Sequence, residues 1–174
     1  MHPFVIDANA IHAFQAERVN ENPGDAHAAL TAIYKDDCIA LDDSDLCLQE
    51  WLNCAGGTAP YALLDWVGDE LVAGRIRLFP LSDNSCRKHL LSVGLPQSDH
   101  KWVRLAIGCG GRRIVSGDID FFDPTKKNAS GRIKEAIRKS RSGKCSKQLK
   151  KNYNIEIMCL PHVPEEIENI NRAA

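Results

Sequence analysis

Short apolar runs alternate along this chain with stretches in which apolar residues recur every three or four positions. The apolar runs predict five strands, at 4–6, 38–41, 75–81, 113–116 and 155–160. The stretches between them predict helices, the first of which covers 8–19. Strands separated by helices favour crossover connections and a mainly parallel sheet, so we expect a three-layer α/β/α sandwich.

Several helix ends can be predicted from capping residues and glycines. Thr58, with Pro60 in the first turn, predicts one helix start, and Ser82 or Asp83 predicts the next. Ser98 predicts a third, which would put Asp99 in the first turn of its helix, where the helix dipole favours an anion. The glycines of the GCGG sequence at 108–111 would end that helix. They do not match the pattern of a nucleotide-binding loop, so we expect them to form a turn.

Length and composition predict one globular domain over residues 1–174. The chain is 44% hydrophobic and 26% charged, and no 18 consecutive residues are apolar, so we expect no membrane span. Its first residues run directly into a predicted strand without the features of a secretory signal, so we expect a cytoplasmic protein.

Cysteine and histidine do not form a recognisable metal motif in this sequence. The seven cysteines are scattered and contain no CxxC pair, and we expect them to be buried thiols. His89 and His100 have no second His or Cys three or four residues away, so a helical zinc site is not supported.

The charge is distributed very unevenly. Residues 125–151 contain eleven Lys or Arg and one acid, for a net charge of +10, and the rest of the chain carries −11. An acidic body with one basic segment suggests a polyanionic partner, although a basic helix that is simply solvated is the plain alternative.

Four acidic residues are predicted to meet at one edge of the sheet. Asp7 and Asp118 follow the carboxyl ends of predicted strands, and Glu50 and Asp99 lie on helices that would pack near that edge. Carboxylates gathered without basic partners raise one another's pKa unless a divalent metal neutralises them. The sequence therefore predicts a site for Mg²⁺ or Mn²⁺, whereas helix capping or plain solvation is the structural alternative for each acid.

Three segments together resemble the PIN-domain nuclease family. FVIDANAIHAF resembles the family's opening motif, with Asp7 followed by Asn9 at a position where the family favours a small polar residue. IALDDSDLCLQEWL is similar to the second motif and aligns its acid with Glu50. SDHKWVRLAIGCGGRRIVSGDIDFFDP resembles the third and fourth motifs, with acids at Asp99 and Asp118.

The resemblance implies a PIN-like fold and a metal-dependent endonuclease that hydrolyses single-stranded or structured RNA, with DNA as an open alternative. Asp7, Asp99 and Asp118 would hold the ions that activate a water, and Glu50 would bind or orient a second ion or that water. Among the neighbouring residues, Asp120 would be an additional metal ligand, and Asn9 and Ser116 would orient the carboxylates.

The basic segment would then hold the phosphates of the substrate without reading its sequence. Candidate contacts are Lys126, Lys127, Arg132, Arg138, Lys139 and Arg141. The resemblance also suggests a toxin or defence nuclease, with a homodimer and an antitoxin or other inhibitory protein as candidate assemblies.

Three alternatives remain open on the sequence. A Toprim-like or haloacid-dehalogenase-like phosphoryl-transfer enzyme could use Asp118 and Asp120, but the latter family needs a DxD directly after the first strand, where this chain has Asp-Ala-Asn. A receiver-type signalling domain would need a phosphoacceptor Asp on a middle strand, and none is evident. A catalytically inactive PIN-like module that binds RNA or protein is the third.

Overall fold

The fold is an α/β/α sandwich around one parallel sheet, as the sequence predicts. The computed structural model describes residues 2–54 and 60–173. In these residues the sheet has five strands in the order β3-β2-β1-β4-β5, all parallel to their neighbours. The strands are β1 (Phe4–Ile6), β2 (Ile39–Asp42), β3 (Ile76–Phe79), β4 (Arg113–Val115) and β5 (Glu156–Met158).

Helices connect the strands and cover the sheet. The helices in the described residues are α1 (Ala8–Val19), α2 (Asp25–Asp36), α3 (Leu46–Cys54), α4 (Pro60–Val72), α5 (Arg87–Ser92), α6 (His100–Gly108), α7 (Ile119–Phe122), α8 (Gly131–Ser140), α9 (Lys144–Tyr153) and α10 (Val163–Ala173). None of them is both long enough and apolar enough to cross a bilayer. The predicted cap Thr58 lies outside the described residues.

Strand β1 is the centre of the sheet and of the core. All three of its residues are buried, and Phe4 is paired with Ile39 on one side and Arg113 on the other. The indole of Trp51, itself buried, donates a hydrogen bond from Nε1 to the carbonyl oxygen of Ile6 at 3.0 Å. This contact fixes α3 against the end of β1, where the first predicted site acid lies.

The strand order creates a crevice at the carboxyl edge of the sheet. The chain builds β1, β2 and β3 outward in one direction, and then returns to place β4 and β5 on the other side of β1. Connections from β1 and β4 therefore leave in opposite directions, and ligands of open parallel sheets bind at such a point. Asp7 directly follows β1, and Ser116 to Asp118 follow β4.

Two predicted helix starts and one predicted burial are wrong. Helix α5 begins at Arg87, not at 82 or 83, because Asp83 accepts hydrogen bonds from the backbone and hydroxyl of Ser85 and so holds a turn. Ser98 does not cap α6, because 97–99 forms a 3₁₀ turn. The seven cysteines form no disulfide, as expected, but Cys54 is exposed.

The basic segment contains two helices, α8 and α9, which are separated at 141–143. Arg141 ends α8 in a left-handed conformation, with φ of 50°. Gly143 lies against α7, and a Cβ at this position would stand only 2.1 Å from the carbonyl oxygen of Phe122. Only glycine allows this approach, and it holds the basic segment close to the helix that follows Asp118.

Candidate metal and phosphate site

Asp7 is a buried carboxylate held by three hydrogen bonds. It is 5% exposed and caps α1, with Oδ1 accepting a hydrogen bond from the amide of Ala8 at 2.6 Å. Its Oδ2 accepts hydrogen bonds from Ser116 Oγ at 2.6 Å and Asn9 Nδ2 at 2.7 Å. Ser116 and Asn9, the residues expected to orient the carboxylates, thus contact Asp7 directly.

Ser116 and Asn9 also link the ends of β1 and β4. The Ser116 hydroxyl oxygen accepts a hydrogen bond from the backbone N–H of Asp118 at 3.0 Å. The amide oxygen of Asn9 accepts one from the backbone N–H of Gly117 at 3.0 Å. These bonds hold the segment that carries Asp118 against the segment that carries Asp7.

Asp118 and Asp120 belong to the short helix α7. Asp118 caps this helix by accepting a hydrogen bond on Oδ1 from the Asp120 amide at 2.9 Å. Asp120 is only 3% exposed, and its Oδ2 accepts a hydrogen bond from Lys127 Nζ at 2.9 Å. Its other oxygen, Oδ1, is buried and has no hydrogen-bond partner within the described part of the chain.

Asp99 and Glu50 reach the same region from other elements. Asp99 ends the 3₁₀ turn before α6 and accepts a hydrogen bond from the Ser98 hydroxyl at 3.2 Å. Glu50 extends from α3 and forms an ion pair with Lys101 of α6.

Electrostatic coupling indicates that the acids lie near one another. The pKa of Asp7 is raised to about 6, because burial and the negative charges of Asp99 and Glu50 together outweigh the lowering effect of its hydrogen bonds. Burial also raises the pKa of Asp99 to about 6, with Asp118 and Glu50 contributing in the same direction. The predicted acids therefore share one electrostatic environment.

Two lysines correct the expectation that the acids have no basic partner. Lys101 pairs with Glu50, and Lys127 pairs with Asp120. Lys127 was predicted to contact substrate, but in this structure its ammonium group neutralises a buried carboxylate. Lys101 was not predicted at all, because its partner Glu50 lies on a different helix and no sequence spacing connects the two.

The candidate ligands are of the type that a hard divalent cation binds, but they are not arranged as a metal centre. All the candidate ligands present carboxylate oxygens, which Mg²⁺ and Mn²⁺ prefer, and Asp120 Oδ1 is a buried acceptor whose hydrogen-bonding capacity is unused. Yet across 2–54 and 60–173, His, Cys, Asp and Glu side chains do not form a group of three or more arranged to hold a metal ion.

Two further acids near strand or helix ends are structural. Asp42, the last residue of β2, is fully buried and accepts hydrogen bonds from the Ser44 hydroxyl and from the amides of Leu46 and Cys47, which start α3. Asp123 accepts hydrogen bonds from the backbone and hydroxyl of Thr125. These hydrogen bonds hold the pKa of Asp42 and of Asp123 below the usual value, in contrast to the raised pKa of Asp7 and Asp99.

The predicted phosphate-binding residues occupy different environments. Lys126, Arg132 and Lys139 are exposed to solvent. Arg141 is paired with Glu166 of α10 at 3.3 Å, so its charge is partly neutralised within the fold. Arg138 is half-buried and lines a cavity, together with Lys127 and Lys134, the last of which was not predicted.

That cavity opens beside the acidic edge and has a volume of about 810 Å³. It reaches from Asn9, Gly117 and Asp118 to helix α8 and to the segment after β5. Such a volume is typical of small-molecule and cofactor sites. The candidate site thus combines a carboxylate cluster with an adjacent space that is partly lined by cations.

No protein-family model, no curated protein and no solved structure matches this chain.

Proposed function

We propose that this chain is a divalent-metal-dependent endoribonuclease of the PIN-domain type. The observation that carries the proposal is the raised pKa of the buried Asp7, at the crevice between β1 and β4, to which the charges of Asp99 and Glu50 contribute. The pKa of Asp99 is raised as well, with Asp118 and Glu50 contributing. Such a cluster is costly in water alone and becomes favourable when a cation is bound.

Asp7, Asp99, Asp118 and Asp120 would hold Mg²⁺ or Mn²⁺, with Glu50 close to a second ion or to the attacking water. When bound, such an ion supplies an activated water and stabilises the charge that develops on the phosphate. Asp7 is oriented for this role by Ser116 and Asn9, whose hydrogen bonds leave the carboxylate little freedom to rotate.

The lysines act as counter-charges in this proposal. Lys127 lies 2.9 Å from Asp120 and is 68% exposed, so it can leave the carboxylate for a phosphate while the carboxylate turns to a metal. RNA is the proposed substrate, and DNA is the alternative. A cytoplasmic toxin or defence role, a homodimer and an inhibitory partner belong to the same proposal and rest on the family resemblance.

The test is cleavage of a labelled single-stranded RNA by the purified chain in Mn²⁺ or Mg²⁺, with chelator as the negative control. Asp118→Asn keeps the side-chain shape but loses the charge, so we expect the cleavage rate to fall at least about 100-fold. Asp65→Asn, at an exposed position on α4, is the matched control and should cleave at the wild-type rate. Equal rates for the wild type and Asp118→Asn would refute the proposal.

A binding module without catalytic activity is the second candidate, and the two ion pairs favour it. Lys101 and Lys127 already neutralise Glu50 and Asp120, so part of the acidic cluster is satisfied without metal. RNA binding without cleavage in any divalent metal would support this candidate. Release of phosphate from a small ester would instead support a phosphoryl-transfer enzyme.

A further inference from the structure

The cavity beside Asp118 has two chemically different sides. Ala13 of α1, together with Leu160 and Pro161 after β5, provides apolar surface. Lys134 and Arg138 of α8 provide positive charge. These two residues are four positions apart on one helix and therefore project from the same side of it.

Lys134 and Arg138 have unused capacity to bind an anion. Lys134 forms no ion pair within residues 2–54 and 60–173, and Arg138 has only a 3.7 Å contact with Glu135. In that same part of the chain, the buried Nε of Arg138 has no hydrogen-bond partner. A buried donor without an acceptor is unfavourable, so an anion at this position would satisfy it.

Negative charge on another part of the cavity restricts where such an anion can lie. Glu17 and Asp25 also line the cavity, from α1 and the start of α2. Glu17 is already used as a cap, because it accepts hydrogen bonds from the amides of Gly24, Ala26 and His27. Both carboxylates repel a phosphate, which leaves the α8 side as the favourable position.

We propose that this cavity binds one unpaired nucleotide next to the phosphate that is cleaved, with Lys134 and Arg138 holding the phosphate on its far side. The inference rests on the proposed function, because it takes the ligand to be a nucleic acid. The apolar surface of Ala13, Leu160 and Pro161 contacts the sugar and base. A base inside a cavity cannot remain paired, so single-stranded substrate is preferred to duplex.

The experiment measures the binding of a fluorescein-labelled ten-nucleotide single-stranded RNA by anisotropy in chelator, where no cleavage can occur. We expect Lys134→Gln/Arg138→Gln to weaken binding at least tenfold and to reduce the slope of log affinity against log salt by about 1.4. The matched control, Lys147→Gln/Lys151→Gln, removes the same charge from an i, i+4 pair of exposed lysines on α9 and should weaken binding less than threefold. Equal losses in both variants would overturn the inference.

A second variant tests the cavity without changing its charge. Ala13→Leu fills part of the apolar side, and we expect it to weaken single-strand binding at least fivefold while the melting temperature stays within about 2 °C of wild type. In the wild type, a duplex of the same sequence should bind at least tenfold more weakly than the single strand. Equal affinity for duplex and single strand, or wild-type affinity in Ala13→Leu, would contradict a nucleotide in the cavity.

The two proposals can fail separately. If the wild type cleaves RNA but Lys134→Gln/Arg138→Gln binds it like wild type, the cavity assignment is wrong and the nuclease proposal stands. If no metal supports cleavage but this variant loses binding and the α9 control does not, the cavity assignment stands and the nuclease proposal is wrong.

Discussion

Two buried carboxylates, Asp7 and Asp42, lie at the carboxyl ends of neighbouring strands, and their pKa values shift in opposite directions. Burial acts to raise the pKa of Asp42, but hydrogen bonds from Ser44, Cys47 and Leu46 together hold it below its usual value. Asp7 also accepts three hydrogen bonds, yet its pKa rises to about 6, because the effect of burial outweighs these bonds and Asp99 and Glu50 add repulsion. The difference separates an acid that stabilises the fold from one that is poised for a cation.

Asp99 should make stability depend on pH in the metal-free protein. Its pKa is about 6 in the folded chain and 3.8 in the unfolded chain, so its contribution to stability is complete below pH 3.8 and is lost as the pH rises to about 6. Asp99→Asn cannot ionise. In chelator its melting temperature should match that of wild type near pH 4 and exceed it by about 2–4 °C at pH 7.5.

Asp65→Asn, which changes an exposed carboxyl on α4, is the control for this experiment. Its difference from wild type should not grow with pH. A constant difference between Asp99→Asn and wild type from pH 4 to 7.5 would contradict the assignment of Asp99 to a buried and repulsive environment.

Lys127 should stabilise the metal-free fold through Asp120. Lys127→Met leaves a 3% exposed carboxylate without its counter-charge, so we expect the melting temperature in chelator to fall by about 3 °C or more. Addition of Mn²⁺ should restore it, because the cation takes over the neutralising role. Differential scanning fluorimetry provides both measurements.

Lys126→Met is the matched control, since Lys126 is an exposed neighbour and forms no ion pair within the described residues. Its melting temperature should stay within about 1 °C of wild type. If Mn²⁺ raised the melting temperature of both variants equally, Asp120 would have no particular part in metal binding.

At the scale of elements, the site depends on where helices begin. Helices α1, α3 and α7 each follow an acid, and in every case that acid accepts a hydrogen bond from a backbone amide at the start of the helix. Asp7 and Asp118 cap their helices directly after β1 and β4, at the crevice between these two strands. The structural role and the proposed chemical role therefore occur in the same residues and do not exclude each other.

Asp42 holds the start of its helix in the same way, but it has no proposed role in metal binding. Asp42→Ala removes three accepted hydrogen bonds at the start of α3, and we expect the free energy of unfolding to fall by about 2 kcal/mol. Urea denaturation measures the change. RNA cleavage at a temperature where the variant is folded should remain within about threefold of wild type.

Asp43→Ala is the control at the adjacent exposed residue, and its free energy of unfolding should change by less than about 0.5 kcal/mol. If Asp42→Ala lost RNA cleavage under conditions in which it is fully folded, Asp42 would have to be added to the four proposed acids of the catalytic site.

The strands and most helices were predictable because their hydrophobic periods are strong and local. Strand β1 was predicted with its observed bounds, and the exposed Arg77 and Leu78 fit the observed position of β3 at the edge of the sheet. The helix starts near 83 and 98 were not predictable from capping residues alone. Serine and aspartate hydrogen-bond equally well in turns, and only the surrounding packing selects between a turn and a helix.

The acidic residues of the candidate site were predictable from the sequence, but its basic residues Lys101 and Lys134 were not. Asp7 and Asp118 follow strands whose parallel order brings their ends together, which a sequence pattern can indicate. The pairing of Lys101 with Glu50 joins two different helices, and the exposure of Lys134 to a cavity depends on the rotation of α8. Neither follows from spacing along the chain.

At the scale of the whole molecule, positive charge is concentrated in one region of an otherwise acidic surface. The segment 125–151 carries +10 and the rest of the chain −11, and α7 connects the segment to the acidic crevice. Long-range attraction would therefore bring a polyanion to this side of the molecule, where the cations of α8 would hold it beside the acids. Metal would then reduce the repulsion between phosphate and carboxylates.

Binding of RNA should accordingly weaken as salt increases. If about three phosphates are neutralised, the affinity for single-stranded RNA should fall about 20-fold between 50 and 200 mM NaCl in chelator. An analogue of the same sequence with an uncharged backbone is the control and should show no such decrease. An affinity for RNA that does not change with salt would contradict phosphate binding by the basic segment.

The hydrogen bond between Ser116 and Asp7 joins residues that are 109 positions apart in the chain. Strand β1 is synthesised first but takes the centre of the sheet, and β4 reaches its side only after more than a hundred further residues have been made. A nascent chain therefore cannot assemble the acidic crevice until Asp118 has been added. Under the proposed function, no active nuclease can form on the ribosome before β4 and Asp118 have been synthesised.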